Sequence, residues 1–331
     1  SDIFRNDNSV IPTLELKSVI HKNVFQNYQK LLMSPHKWIN CESDFAEVDD
    51  FLMTNWLERL YIERLERKSK VIEVLLESSK NDWEGVLFKL LAKNFGLKVN
   101  GDAFLSMANS FEFSMVRKIQ TLPVQLEALF FGQMGLLDRE IENAYYGVLV
   151  NEYLFLKQKF NLSNDHVIPL QFFRLRPPNF PTIRLSQLAM LYHQHHNLFH
   201  KIMTAKNIED LYQLFQVGTS EFWNTHFTFE KPSKPSKKIL TKNFIDLLLI
   251  NTVLPLRFCY LKSQGKNPTE HNLSLAQKIA SEDNSVIAAF NMLKPISTSA
   301  MISQALIQLK TEYCEKNKCM ACAVGNSLLA K

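Results

Sequence analysis

The chain is poor in glycine, in cysteine and in long apolar runs, and each shortage excludes a class of protein. Only 9 Gly occur in 331 residues, and Val-Thr alternation is scarce, which argues against an all-β protein. Five Cys in a chain of this length do not make a disulfide framework, so we expect a reducing compartment. No stretch has the ~18 uninterrupted apolar residues of a membrane helix. The first residues do not form a signal peptide. We therefore expect a cytoplasmic protein without a membrane partner.

The residues that are abundant favour helices around a large core. Leu, Lys, Glu, Gln and Asn are common, and the composition is 46% apolar with 24 Phe. Leu57, Leu60, Leu65 and Ile72 follow one another at near-helical spacing. The sequence therefore predicts a mainly α protein, a multi-helical bundle-like array. Polar Glu127, which interrupts an apolar helical face, is expected to be a satisfied group that fixes packing.

The N-terminus is the exception to the helical pattern. Residues 10–17 alternate apolar and polar like a strand. An isolated strand is not stable in water, so we expect it to be left over from a missing or upstream sheet. Glu15-x-Lys17 also matches half of a metal-nuclease pattern, in which a lysine polarises the attacking water. The pair is common by chance, and no preceding aspartate strand accompanies it.

Charge divides the chain into halves. Residues 1–165 carry 19 Lys and Arg against 23 Asp and Glu, a net charge of −4, whereas residues 166–331 carry 19 against 10, a net charge of +9. We predict a terminal strand over 1–18, an acidic helical subdomain over 19–165 and a basic helical subdomain over 166–331. The basic half fits a polyanionic partner such as DNA or RNA. It fits a solubilising lysine surface equally well.

A rigid cationic segment opens the basic half. Three prolines between residues 177 and 181 fix φ near −65° and disfavour helix there. The side chains around them either tie down buried backbone or present a cationic edge to an anion, with the ring as a stacking surface. They are Arg174, Arg176, Arg184 and Phe180. Further on, the lysines and prolines of residues 231–238 predict a mobile exposed loop, which is either a phosphate contact or a linker.

Two clusters have the spacing of metal ligands. His196-x-x-x-His200, on a helix predicted over 185–203, lets two imidazoles share a metal, but a solvated histidine face is the favoured interpretation. Cys314, Cys319 and Cys322 form a Cys-x4-Cys-x2-Cys cluster. Three thiolates so close together predict zinc or an iron–sulfur cluster, either of which requires a fourth ligand. Cys41 and Cys259 are the candidates for it. The alternative is three ordinary cysteines.

Several stretches follow one another in order along nearly the whole chain: residues 11–17, 56–60, 63–69, 127–133, 174–184, 251–253 and 303–310, and the cysteine tail. Together they resemble a bacterial family of uncharacterised proteins, the domain of unknown function 2851 family. Members of this family look longer at the N-terminus, with an upstream β-rich region similar to a metal-dependent nuclease core. The resemblance implies that this chain lacks that region. It also suggests, by analogy with some nucleases, a cluster closed by Cys41 together with Cys314, Cys319 and Cys322.

The sequence contains no nucleophile elbow, phosphate loop or complete acid–base constellation, so no catalytic residue is predicted and any activity would need the absent region. The leading hypothesis is the helical nucleic-acid-associated part of a nuclease-like protein. The alternative is a helical scaffold or interaction protein without nucleic-acid binding or catalysis, in which the same arginines are buried structural donors. The oligomeric state is left open.

Overall fold

The structure is a computed structural model that describes residues 3–15, 19–20, 22–32 and 38–330. It is 64% helical with a single small sheet of two strands among the described residues, which confirms the predicted mainly α class. The strands are β1 (Ile3–Phe4) and β2 (Val10–Ile11), and the helices are α1 (Lys22–Leu32), α2 (Asp50–Ser78), α3 (Trp83–Phe95), α4 (Leu97–Asn109), α5 (Phe113–Ile119), α6 (Pro123–Gln133), α7 (Ala144–Phe160), α8 (Pro181–Gln194), α9 (Leu198–Thr204), α10 (Ile208–Leu214), α11 (Lys242–Ser263), α12 (Thr269–Lys278), α13 (Ser285–Leu293), α14 (Ala300–Gln308) and α15 (Ala323–Leu329).

The chain forms two compact units that do not follow the charge division. Unit 1 comprises Ser1–Arg64 and Ala280–Lys331, and unit 2 comprises Leu65–Ile279. The predicted boundary at residue 165 therefore falls inside unit 2, where α6 packs against both α7 and α8. Charge patterning reports on the surface, whereas the limits of a compact unit are set by which apolar faces pack together.

The predicted strand is short and has its partner within the chain. β1 and β2 pair antiparallel, with Ile3 opposite Ile11 and Phe4 opposite Val10. Residues 12–15 have no regular structure, and residues 16–18, which include Lys17 of the nuclease-like pattern, lie outside the described residues. The pairing that was expected from an upstream sheet is thus supplied locally.

Unit 2 is held by aromatic packing between helices. Phe88 of α3 lies at the centre, with its ring centroid 5.2 to 5.9 Å from those of its neighbours Phe111, Phe113, Phe130 and Tyr192. All of these rings are buried. Aromatic pairs at such distances add to the stabilisation from apolar burial, so this cluster fixes how α3, α6 and α8 meet.

Helix α11 passes through Pro255 without a break. Residues Leu249–Val253 form a π turn directly before it. Because proline has no N–H and its ring crowds the preceding turn, the wider π turn lets the helix continue. Among the described helices, α11 has the length and apolar composition of a membrane span, but 78% of its most apolar window is buried inside the protein.

Unit 1 packs a segment near the N-terminus, residues 38–48, against helices near the C-terminus. Trp38 and Phe45 pack against Phe290 of α13, with ring centroids 4.7 and 5.5 Å apart. Lys294 Nζ donates to the backbone carbonyl of Val48 at 2.8 Å. Helix α14 ends in a second π turn, Leu309–Cys314, which places Cys314 at its last position. These contacts position the cysteine-bearing tail near the turn that contains Cys41.

Candidate functional site

The arginine segment of unit 2 is a tight turn that leads into α8. Pro177–Asn179 form a single 3-10 turn, and Pro181 occupies the first position of α8, where its missing N–H costs nothing. Arg174 adopts the left-handed conformation at φ +62°, with its guanidinium 5.0 Å from the Phe173 ring. Arg174 and Arg176 are both exposed. These two arginines are in a position to meet an external anion.

Arg184 is placed differently, since only 7% of it is exposed. Its Nη1 donates to Gln187 Oε1 at 2.9 Å and its Nη2 donates to Asn179 Oδ1 at 2.7 Å. The guanidinium also lies 3.6 Å from the centre of the Phe244 ring. Burial lowers the pKa of Arg184 to about 10. This side chain ties the segment to α8 and α11 rather than presenting charge to solvent.

A groove of about 380 Å³ runs beside the arginine segment. The segment contributes Phe180, which is half-buried and packs edge-on against Phe172 at 5.6 Å. Exposed Arg139 and Glu230 also line the groove. The groove thus combines aromatic surface with one cation and one carboxylate. Arg174 and Arg176 lie between its lining residues Phe172 and Phe180 in the chain.

The lysine loop over residues 231–238 follows the groove. Lys231, Lys234 and Lys237 are exposed, as the sequence predicts. Lys238 is buried, with its ammonium 4.2 Å from the Phe227 ring centre and donating to the Trp223 carbonyl. Backbone N–H groups of the loop donate to carbonyls of residues 224 and 225 at 2.9 and 2.6 Å. The loop is exposed but pinned along its length, which its composition did not reveal.

The histidines do not share one helix face. Helix α8 ends at Gln194 and α9 begins at Leu198, because His195 turns extended at φ −128°. The imidazole of His193 contacts the Gln120 carbonyl at 2.9 Å, and that of His195 contacts the Leu214 carbonyl at 2.9 Å. The predicted helix over 185–203 is therefore wrong at its centre. Of the predicted pair, His196 lies in the turn between the two helices and His200 on α9, and both are exposed.

Four of the five cysteines line one small cavity in unit 1. Cys41 comes from the turn after Ile39, and the other three come from the tail predicted to hold a metal. They are Cys314 on the π turn, Cys319 on the 3-10 turn Cys319–Ala321, and Cys322 at the N-cap of α15. Cys259 belongs to unit 2, where its sulfur lies 4.0 Å from the Ser69 carbonyl. The structure thus brings Cys41, and not Cys259, to the tail.

Burial dominates the acid–base character of these thiols. It raises the pKa of Cys41 to about 12, and the neighbouring sulfurs of Cys322 and Cys319 raise it further. Burial and the sulfurs of Cys41 and Cys322 likewise raise the pKa of Cys314, and burial raises that of Cys322. The cavity measures about 20 Å³. In the described part of the chain, no group of three or more His, Cys, Asp or Glu side chains is arranged to hold a metal ion.

Several groups that the sequence did not single out hold the cavity in shape. Asn40 Nδ2 donates to Cys319 Sγ at 3.4 Å and to Asn317 Oδ1 at 3.0 Å. Trp56 Nε1 is buried without a hydrogen bond of normal geometry and faces Cys322. A Cβ on Gly325 would lie 2.1 Å from the Cys319 carbonyl, so only glycine lets α15 approach that turn. Asn40 lies next to Cys41, and that adjacency was the only sequence signal for any of them.

Unit 2 also buries a carboxyl group that sequence reasoning treated only as packing. Glu127 on α6 is fully buried, and its Oε2 accepts from the Tyr145 hydroxyl and, at 3.1 Å, from Ser220 Oγ. Its Oε1 has no hydrogen-bond partner, although Ser186 and the Trp223 indole lie beside the carboxyl. Burial raises the pKa of Glu127. The surroundings are hydroxyls and aromatic rings, and burial among them favours the neutral carboxyl over the carboxylate.

The fold and these sites describe a mainly helical protein with an exposed arginine edge in one unit and a four-cysteine cavity in the other. The model of the family described as protein of unknown function (DUF2851) matches residues 1–285, and the chain belongs to that family. No curated protein and no solved structure matches the chain.

Proposed function

We propose that this chain is the helical nucleic-acid-associated part of a nuclease-like protein, and that unit 2 holds a DNA or RNA strand along its arginine edge. The observation that carries the proposal is the exposure of Arg174 and Arg176 on a proline-fixed turn beside the groove. Guanidinium groups form paired, charge-assisted hydrogen bonds to phosphate oxygens. A rigid turn loses little conformational freedom when it binds.

The groove supplies the second element that a single strand requires. Bases stack on aromatic side chains while cations follow the backbone. Phe172 and Phe180 offer apolar surface in the groove, and Arg139 offers a cation in its lining. Lys231 and Lys234 continue the exposed positive charge just after Glu230. Glu230 would repel a phosphate, so the nucleic-acid backbone is expected to follow exposed Arg174 and Arg176.

The test is binding of a fluorescent single-stranded oligonucleotide by the chain and by the double variant Arg174→Ala/Arg176→Ala. Loss of two phosphate contacts is expected to weaken binding by about 2 kcal/mol, or about 30-fold. It should also reduce the slope of log affinity against log salt by about 1.4, since each single-strand phosphate contact contributes about 0.7.

The matched control is Lys206→Ala/Lys266→Ala, which removes two exposed positive charges away from the groove. If both double variants weaken binding equally, the effect is net charge and the edge has no special role. If the chain binds neither DNA nor RNA while remaining folded, the proposal is wrong.

A second candidate function, a helical scaffold without nucleic-acid binding, is favoured by Arg184. That arginine was predicted to contact phosphate, yet its guanidinium is buried and bonded to two side-chain amides. If Arg174 and Arg176 also serve only the fold, their replacement lowers stability and leaves no binding to lose. Urea unfolding of the same double variant separates the two functions.

A further inference from the structure

The cysteine cavity of unit 1 draws four side chains from two distant parts of the chain. Cys41 precedes α2, whereas Cys314, Cys319 and Cys322 follow α14. Lys310 Nζ donates to the Trp38 carbonyl at 2.8 Å, which fastens the two parts beside the cavity. Cysteines that serve only as packing groups need not gather in one place, so the convergence of four on one space indicates a shared ligand.

The spacing of these cysteines matches that of an iron–sulfur site. Cys314, Cys319 and Cys322 have the Cys-x4-Cys-x2-Cys spacing that, together with one further cysteine, holds a [2Fe–2S] cluster in plant-type ferredoxins. Cys41 lines the same cavity and completes a set of four thiols.

Four cysteine thiolates are the usual ligand set of an iron–sulfur cluster. We propose that Cys41, Cys314, Cys319 and Cys322 bind an iron–sulfur cluster. The cluster enters preassembled: each cysteine sulfur replaces one thiolate of the cluster donor, and that thiolate takes up the proton that the cysteine releases. Bonds are exchanged one for one, and no electrons are transferred.

The surroundings suit sulfur atoms that carry negative charge. Asn40 Nδ2 already donates to Cys319 Sγ, and the buried Trp56 N–H faces Cys322 without a partner of its own. Backbone N–H groups of Val324 and Gly325 face the same sulfur at the start of α15. Hydrogen bonds to the sulfurs are among the levers by which proteins tune such clusters. The Trp56 donor has no hydrogen bond of normal geometry, and a thiolate at Cys322 would be an acceptor for it.

The experiment is analysis of iron, acid-labile sulfide and zinc in the full chain purified without oxygen. We expect iron and sulfide in equal amounts, about two or about four of each per chain, with a broad visible absorption band. Cys41→Ser and Cys319→Ser should each lose most of the iron and the band. Cys259→Ser, the fifth cysteine in unit 2, is the matched control and should retain both.

Cysteine reactivity in the wild-type chain tests the proposal without requiring that any variant folds. When the cluster is bound, alkylation followed by mass spectrometry should label none of the four cavity cysteines, and chelation of iron should make all four reactive. Zinc without iron in the purified chain would overturn the proposal. A chain that contains no metal and does not bind an added preassembled cluster would overturn it as well. Full iron content in a folded Cys41→Ser variant would overturn the four-cysteine assignment. None of these outcomes depends on whether unit 2 binds nucleic acid.

Discussion

The buried carboxyl of Glu127 makes stability depend on pH in a direction that can be measured. Its pKa is raised from 4.5 by burial, so the folded chain keeps this proton at pH values where the unfolded chain has lost it. Below about pH 4.5 both states are protonated and the group has no pH-dependent effect. Above it the unfolded state binds fewer protons, so stability falls as pH rises, until the pH passes the folded-state pKa.

Replacement by glutamine isolates this effect. Glu127→Gln keeps an oxygen toward the Tyr145 hydroxyl and Ser220 and cannot ionise. The free energy of unfolding of the wild type should therefore fall relative to the variant by about 1.4 kcal/mol for each pH unit above about pH 4.5. The difference becomes constant once pH exceeds the folded-state pKa.

The assay is urea unfolding from about pH 4 to about pH 8, with the slope in urea checked for constancy at each pH. Glu140→Gln, which replaces an exposed carboxylate, is the control and should follow the wild type closely. Parallel profiles for the wild type and Glu127→Gln would refute the reasoning. They would show that the carboxyl titrates equally in both states and is not held neutral by its surroundings.

Two further predictions concern packing in unit 2. A Cβ on Gly132 would lie 2.2 Å from the Tyr153 ring, so Gly132→Ala should cost about 1–3 kcal/mol of unfolding free energy despite the better helix propensity of alanine. At Gly147, where a Cβ meets nothing within 4 Å, the same change should raise stability by up to about 1 kcal/mol; equal effects at both positions would contradict the argument. Arg184→Lys should destabilise by about 1–3 kcal/mol, because one ammonium cannot reproduce the fork between two amide oxygens. The unfolding free energy of Arg174→Ala should stay within about 0.5 kcal/mol of the wild-type value in the same denaturation series. A similar loss of stability at both arginines would show that their exposure does not determine their contribution to stability.

The cysteine tail shows which residues of the candidate site local sequence can predict and which it cannot. Its spacing of Cys314, Cys319 and Cys322 identified three thiols that do line one cavity. Spacing could not choose between Cys41 and Cys259, since the choice depends on which loop the packing of α13 and α14 brings near. The contacts of Trp38 with Phe290 and Lys310 make that choice, and they join residues far apart in the chain.

The arginine segment shows that local sequence does not predict which side chains are exposed. Three arginines within eleven residues have one chemistry, and the sequence offered one role for all of them. Only packing separates them, because α8 begins at Pro181 and turns Arg184 inward toward Phe244 of α11. Arg174 and Arg176 precede that helix and stay in solvent. The exposure of a long side chain depends on what lies over it, and that is not a local property.

The sequence by itself determined the helical class, because apolar spacing and helix propensity act over three or four residues. It also determined local features such as the cap of α3, where Asp82 accepts from the Gly85 N–H at 3.1 Å. Tertiary structure alone decided the two units, the break at His195, the burial of Glu127 and the fourth cysteine. These features arise from contacts between residues far apart in sequence, and such contacts form only when whole helix faces pack.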